Sequence, residues 1–391
     1  MHVSHSLVPS ALAFALAAVL PAPAAAQAAQ AAQADLYIDV ATHTMPGMAG
    51  LGALGRVAGA MSGGNASYGM ARHPGMPGKY MDVALENRSK PGAPASQAIP
   101  KDLRLGDKID LLPPERTTRD GSGADGATAN MALPDGGPYT IRYYWGCGEQ
   151  VRSGQPAEFT MSIRNGKPVN SGRAMTPRNI PQHGINPGPQ HALWPNPSSR
   201  KSVPAKASLV GAHHVTGDGL PGSMQFDLGR DHDFLPELKL ERKATDQGTQ
   251  LSWNGVDGAR AYFIHATASD GDTIVMWSSS EDGYAGPELV DFLPESLVAQ
   301  WTKKRTLLGA EARNCKIPRE VFTGGAPMVQ MIAYGNQRTI SQPGWRVHVR
   351  NKSTAMLMPS GGGAAPATTQ DAAKPAAKDG AKKLLRGLFG R

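Results

Sequence analysis

The sequence predicts a mainly β protein built as two antiparallel β-sandwich-like domains, the second carrying one short helix, with disordered segments at both ends. Three observations lead there. Short stretches of alternating apolar and polar residues recur from residue 78 to 353, the period-2 signature of half-buried strands. Gly (46) and Pro (32) are abundant among 391 residues, as many turns require. A single helix is predicted, over residues 294–304. With 40% hydrophobic residues the chain can fill ordinary cores, which argues against wholesale disorder.

Residues 1–26 read as a secretory signal peptide. Ala11 to Leu20 form an apolar run, Pro21 and Pro23 break it, and Ala24, Ala25 and Ala26 offer a small-residue cleavage site. No apolar run reaches the ~18 residues of a membrane span. Residues 27–77 follow as a low-complexity Gly/Met/Pro-rich segment. It opens with QAAQAAQA, and from Met45 to Gly78 it has almost no β-branched residues, too little bulk to offset the entropy of ordering.

The first β domain spans 78–232. Met81, Val83 and Leu85 alternate with Asp82, Ala84 and Glu86. Tyr139, Ile141, Tyr143 and Trp145 share one face of a second strand, and Phe159, Met161 and Ile163 one face of a third, which ends at the turn dipeptide Asn165-Gly166. Strand character resumes over Ser208–Val215 and at Met224, Phe226 and Leu228. Stretches 113–136 and 166–206 are predicted loops, rich in turn residues.

The second domain spans 233–353. Leu238 and Leu240 open it, followed by Leu251-Ser252-Trp253, Tyr262 with Ile264, and Ile274 to Trp277. Pro294 starts the helix, whose Leu297, Val298 and Trp301 fall on one side. Strands return at Lys316–Phe322, Met328–Tyr334 and Trp345–Val349. In the last, Trp345, Val347 and Val349 face one way and Arg346, His348 and Arg350 the other. The succession PELKLERKATDQGTQLSW, GVDGARAYFIHA, MVQMIAYG and WRVHVRNKST resembles a fibronectin type III or immunoglobulin-like domain over about 235–352, which implies that Trp253 and Tyr262 are core residues of neighbouring strands. The helix departs from that pattern. The stretch 78–352, with YYWGCGEQ and ASLVGAHHV, is similar to uncharacterised exported proteins of Gram-negative bacteria, which implies an envelope location.

Cys147 and Cys315 are the two cysteines. In an oxidising compartment they most simply form a disulfide, and two buried free thiols are the alternative. Neither has the spacing of a thiol-redox or structural zinc motif.

Candidate chemistry concentrates near the N-terminus. His43, Met45, Met48, Met70, His73 and Met76 offer soft thioether and imidazole donors on a flexible segment, a donor set that selects Cu(I). A compositional spacer carrying incidental Met is the plainer reading. His213 and His214 lie in a strand and point to opposite faces, so adjacent positions do not chelate one ion. Asp231-His232-Asp233 reads as a solvated interdomain turn, with a metal-dependent hydrolase as the sharper alternative. Asp270-Gly271-Asp272 reads as a hairpin turn, and Ser278-Ser279-Ser280 as turn composition. The nucleophile-elbow, zinc-protease and phosphate-loop motifs are absent.

Net charge is +8, and residues 359–391 hold six basic against two acidic residues, half of it. Basic patches interleaved with stacking aromatics are missing, so no nucleic acid partner is expected. Residues 354–391 form a linker and a basic amphipathic tail. On a helix Leu384, Leu385, Leu388 and Phe389 cluster beside Lys382, Lys383 and Arg386, the pattern of a segment drawn to an anionic membrane surface. The sequence thus reads as an exported, periplasmic or secreted, non-catalytic envelope protein with a binding or structural role. Its partner is an unknown envelope component, and no cofactor is expected. A periplasmic copper-binding protein and a metal-dependent hydrolase are the alternatives.

Overall fold

The computed structural model describes residues 1–2, 32–46, 67–114, 139–164, 167–172, 177–180, 185–199 and 201–359. Its first strands are β1 (Ala34–Thr44), β2 (Gly78–Asn87), β3 (Ala95–Ala98) and β4 (Lys108–Leu111). Then come β5 (Tyr139–Trp145), β6 (Ala157–Arg164), β7 (Lys167–Gly172), β8 (His191–Trp194), β9 (Gly211–Gly217) and β10 (Gln225–Leu228). The later chain adds β11 (Leu240–Thr245), β12 (Gly248–Trp253), β13 (Ala261–Asp270) and β14 (Thr273–Ser278). After helix α1 (Glu295–Lys303) follow β15 (Leu308–Gly309), β16 (Asn314–Pro318), β17 (Met328–Gln342) and β18 (Trp345–Leu357).

Eleven strands form one long sheet in the order β7-β6-β5-β14-β13-β17-β18-β1-β2-β8, with β15 paired to β13. Two smaller sheets, β10-β9-β3-β4 and β11-β12-β16, complete a mainly β, sandwich-like fold. Odd positions of β18 face the smaller sheets. Trp345, Val347 and Val349 pack with Val215, Phe226 and Leu111 of the four-stranded sheet, while Ala355 and Leu357 pack with Leu240, Leu251 and Ile317 of the three-stranded one. The segment between the two small sheets crosses β18 where Asn351 donates to the Asp231 and Asp233 carbonyls and Ser353 Oγ accepts from Leu238 N. The sequence boundary at 232/233 falls on this segment, and the long sheet takes strands from both sides of it.

The other face of the long sheet is covered over β13 and β17 by α1, whose Val298 and Trp301 pack against Phe263 and Ile332. Helix and sequence expectation agree to within a residue at each end. Tyr143, Trp253 and Tyr262 are buried, the last two as the resemblance implies.

Two expectations need correction. The segment 27–77 contains β1, an interior strand of the long sheet, parallel to β18 and antiparallel to β2. Leu36, Ile38 and Val40 alternate with Asp35, Tyr37 and Asp39, and all three apolar side chains are fully buried. The supposed loop 166–206 contains β7, which continues the β6 hairpin, and β8, which pairs with β2. Strand β8 is four residues long and buried throughout, so it has no alternation to read.

Candidate functional site: a buried charge cluster on the long sheet

The face of β18 turned away from the small sheets carries Arg346, His348, Arg350, Lys352 and Thr354. Parallel pairing sets Asp35 beside Arg346, Tyr37 beside His348, Asp39 beside Arg350 and His43 beside Thr354. Acids on β1 therefore meet bases on β18 down the sheet. Asp35 is buried and accepts from Arg346 at 2.7 and 2.9 Å, from Arg88 at 2.6 Å and from His348. Burial would raise its pKa, but these donors outweigh burial and hold the carboxyl at about 2. Tyr37 stacks on His348 with ring centroids 4.6 Å apart.

Deeper along the sheet, Arg350 grips Asp39 through Nε and Nη2, at 2.7 and 2.5 Å. Lys352 is wholly buried. Its ammonium donates to Asp291 Oδ1 at 3.0 Å and to the Arg72 carbonyl at 2.8 Å, and lies 4.3 Å from the Phe292 ring centroid. Arg72 reaches the other oxygen of Asp291. Burial works against the Asp291 anion, yet Lys352 and Arg72 hold it well below the usual carboxylate range.

Asp82 on β2 lies opposite Asp39. Burial pushes it up to about 7, the Asp39 charge adds to that, and N–H bonds from Ala71 and Gly69 oppose it. Its Oδ1 finds no hydrogen-bond partner among the described residues. Asp82, Lys352 and Asp291 together pin the segment 67–77 across this face.

That segment holds three of the candidate metal ligands. Met70 accepts from Ser67 N at 3.5 Å, the charge of His73 bears on Asp291, and the Met76 carbonyl accepts from Tyr80 Oη. His43 is buried in β1 opposite Gly78, next to the end of the same segment. Its Nδ1 pairs with Thr354 Oγ1 at 2.7 Å, its Nε2 has no partner among the described residues, and burial with the nearby Lys352 charge lowers its pKa to about 4. Met45 directly follows β1. Met48 and the tail residues Lys382, Lys383, Leu384, Leu385, Arg386, Leu388 and Phe389 lie outside the described residues. Among the described residues no group of three or more His, Cys, Asp or Glu is placed to hold a metal ion.

No family model, curated protein or solved structure matches this chain.

The remaining sequence candidates are absorbed by the fold. Cys147 and Cys315 form a disulfide, with sulfurs 2.05 Å apart, that ties the loop after β5 to β16. His213 uses both ring nitrogens, toward Gln97 and the Leu209 carbonyl, and stacks on Phe226. His214, the outward neighbour, is only half-buried. Asp231-His232-Asp233 is a turn that is solvated only in part, with Asp231 exposed. His232 is buried in a 3₁₀ turn, and Asp233 accepts from Leu209 N, Phe234 N and Ser208 Oγ. The serine run is likewise buried. Ser278 meets Tyr143 Oη at 2.6 Å, and Ser279 accepts from Ile264 N. Asp270-Gly271-Asp272 spans the β13–β14 hairpin, as expected.

Sequence reading missed Asp39, Asp291, Arg72 and Lys352. Half of the signal was visible in the alternating Arg346, His348 and Arg350. The other half, the acids at alternate positions of β1, stood in a segment read as flexible.

Proposed function

We propose that this chain is an exported, non-catalytic envelope protein with a binding or structural role. The observation that carries the reading is the Cys147–Cys315 disulfide, a bond that persists in oxidising compartments. It agrees with the signal-like residues 1–26. No described helix is long and apolar enough to cross a membrane. The strand orders β11-β12-β16 and β14-β13-β17-β18 support a fibronectin type III-like module in the second half, the kind of scaffold that presents loops for binding. Most ionisable groups of the buried cluster are paired with one another, which favours structural use over turnover.

Cell fractionation with a thiol-alkylation mass shift tests this. The full chain is expected in the periplasmic or secreted fraction with both cysteines protected, and a chain lacking residues 1–26 in the cytoplasm with both alkylated. Full-length protein found reduced in the cytoplasm rejects the reading. Deleting 372–391 is expected to reduce sedimentation with anionic vesicles, and unchanged sedimentation removes the membrane role of the tail.

One observation favours copper binding as a second reading. His43 is held neutral, with Nε2 unpartnered among the described residues, beside the segment that carries Met70, His73 and Met76. A Cu(I) competition assay decides it. Replacing Met45, Met48, Met70 and Met76 with Leu is expected to abolish chelation, and wild-type protein that takes no Cu(I) from the competitor discards it.

A further inference from the structure

The four-stranded sheet carries a shallow cleft of about 370 Å³, lined by Ser96, Asp110, Leu112, Ser198, Ser199 and Thr216 with small neighbours. Its polar groups are set by strand register. Ser96 of β3 is paired on one side with Asp110 of β4 and on the other with Thr216 of β9. Directly opposed residues stand about 5 Å apart, so a carboxylate and two hydroxyls form one row across three strands.

The facing wall is the turn that bears Ser198 and Ser199, and it is anchored to the same sheet. Asn196, which is buried, donates to the Asp110 and Leu193 carbonyls at 2.7 and 2.9 Å. Its Oδ1 accepts from Ser198 N and Ser199 N. Ser199 Oγ accepts from Trp194 Nε1 at 2.9 Å, which leaves its own proton to donate. Asp110 Oδ1 is 3.1 Å from Lys108 Nζ, and its other oxygen has no protein partner among the described residues. The cleft thus presents one acceptor-only carboxylate, four hydroxyls that donate or accept, and an apolar floor from Leu112 and Pro94.

The geometry points to a neutral saccharide as the ligand of this cleft. Vicinal sugar hydroxyls both donate and accept, and they match a hydroxyl row beside a carboxylate. With Lys108 paired to one oxygen of Asp110, the other oxygen is left to accept from a sugar hydroxyl, and a fully apolar ligand would strand the polar row. The volume stands at the small end of ligand clefts, about 300–1,000 Å³, enough for a short oligosaccharide segment. This deepens the envelope-binding reading and rests on it, by naming a glycan as the envelope component.

Maltotetraose and chitotetraose are the probes, followed with the full chain by calorimetry and saturation-transfer NMR. One of them is expected to bind. Asp110→Asn is expected to weaken that binding about tenfold or more, the loss of a charge-assisted hydrogen bond, and Ser96→Trp to abolish it by filling the cleft. Thr216→Val gives a milder second variant should the Trp variant misfold. Binding of neither sugar to wild type, or binding that survives both cleft variants with the fold intact, overturns the assignment. Sedimentation with isolated envelope fractions separates the two levels. If wild type sediments but binds neither sugar, the cleft is rejected and envelope binding stands. If wild type does not sediment at all, the broader reading fails.

Discussion

Lys352 shows what a buried charge requires: it has 0% exposure and is tolerated because Asp291 and the Arg72 carbonyl complete its coordination. Asp291 serves two cations, Lys352 and Arg72, so the two ends of this ion pair are not equivalent. Lys352→Met leaves Asp291 with Arg72, whereas Asp291→Leu deprives two cations of their closest anion. Urea denaturation is therefore expected to show Asp291→Leu destabilised by about 3–5 kcal/mol, Lys352→Met by less, and the double variant recovering part of the loss. Equal losses for the two single variants would contradict this asymmetry. Protonation adds a pH dependence whose sign follows from three groups. His43 and His265, both buried, titrate near 4 in the fold against 6.5 in the unfolded chain. Between those values the unfolded state binds more protons, so their contribution is lost as pH falls. Asp82 opposes them. Its folded value of about 7 against 3.8 gives stability present below 3.8 and lost as pH rises through 7. Two protons outweigh one, and His191, His213 and His232, all lowered first by burial, add to the larger side. Stability therefore rises with pH from about 4 to 6.5. Asp82→Asn removes the opposing contribution and is expected to steepen that rise by about one proton, about 1.4 kcal/mol per pH unit. Denaturation curves collected across the window measure it, and an unchanged slope would mean that Asp82 is already ionised there.

At the scale of elements, β1 supplies both halves of the architecture, apolar side chains to the core and acids to the charged face. Leu36, Ile38 and Val40 are fully buried. Ile38→Ala is expected to cost about 2–5 kcal/mol, read as a lower denaturation midpoint, while Ala substitution at exposed Lys243 is expected to change it little. A small effect at Ile38 would show that the sheet tolerates a loosened β1. Strands were legible where alternation ran long enough. The alternation in 80–86 and 139–145 and the Pro294 helix start correspond to β2, β5 and α1. Strands β3, β4 and β8 have four residues each, too few for a period to emerge from turn-rich surroundings. Strand β1 did carry the period, but it follows QAAQAAQA and precedes a Gly/Met stretch, and composition averaged over the segment hid it. The candidate site suffered the same way. Its bases on β18 were visible as a polar face, whereas the pairing with acids 311 residues earlier depends on contacts that no local pattern encodes.

For the whole molecule, the long sheet pairs the first strand with the last. Residues Ala34 and Trp345 are register partners, so β1 has β18 on one side and β2 on the other. Until β18 is available, β1 presents an open edge, and its acids lack Arg346 and Arg350. Such a non-local sheet pays loop-closure entropy before its contacts form, which slows folding. The disulfide acts at the same scale. Cys147 and Cys315 are 168 residues apart, and closing that loop in the unfolded chain corresponds to about 5 kcal/mol in the entropy relation. Cys147→Ser with Cys315→Ser is thus expected to leave a folded but much weaker protein. Truncation after Gln342, which removes β18, is expected to leave no cooperative unfolding transition at all. Calorimetry on both distinguishes the roles. A cooperative transition in the truncated chain would show that β18 completes the sheet without being needed to form it, and that β1 finds its place by pairing with β2 alone.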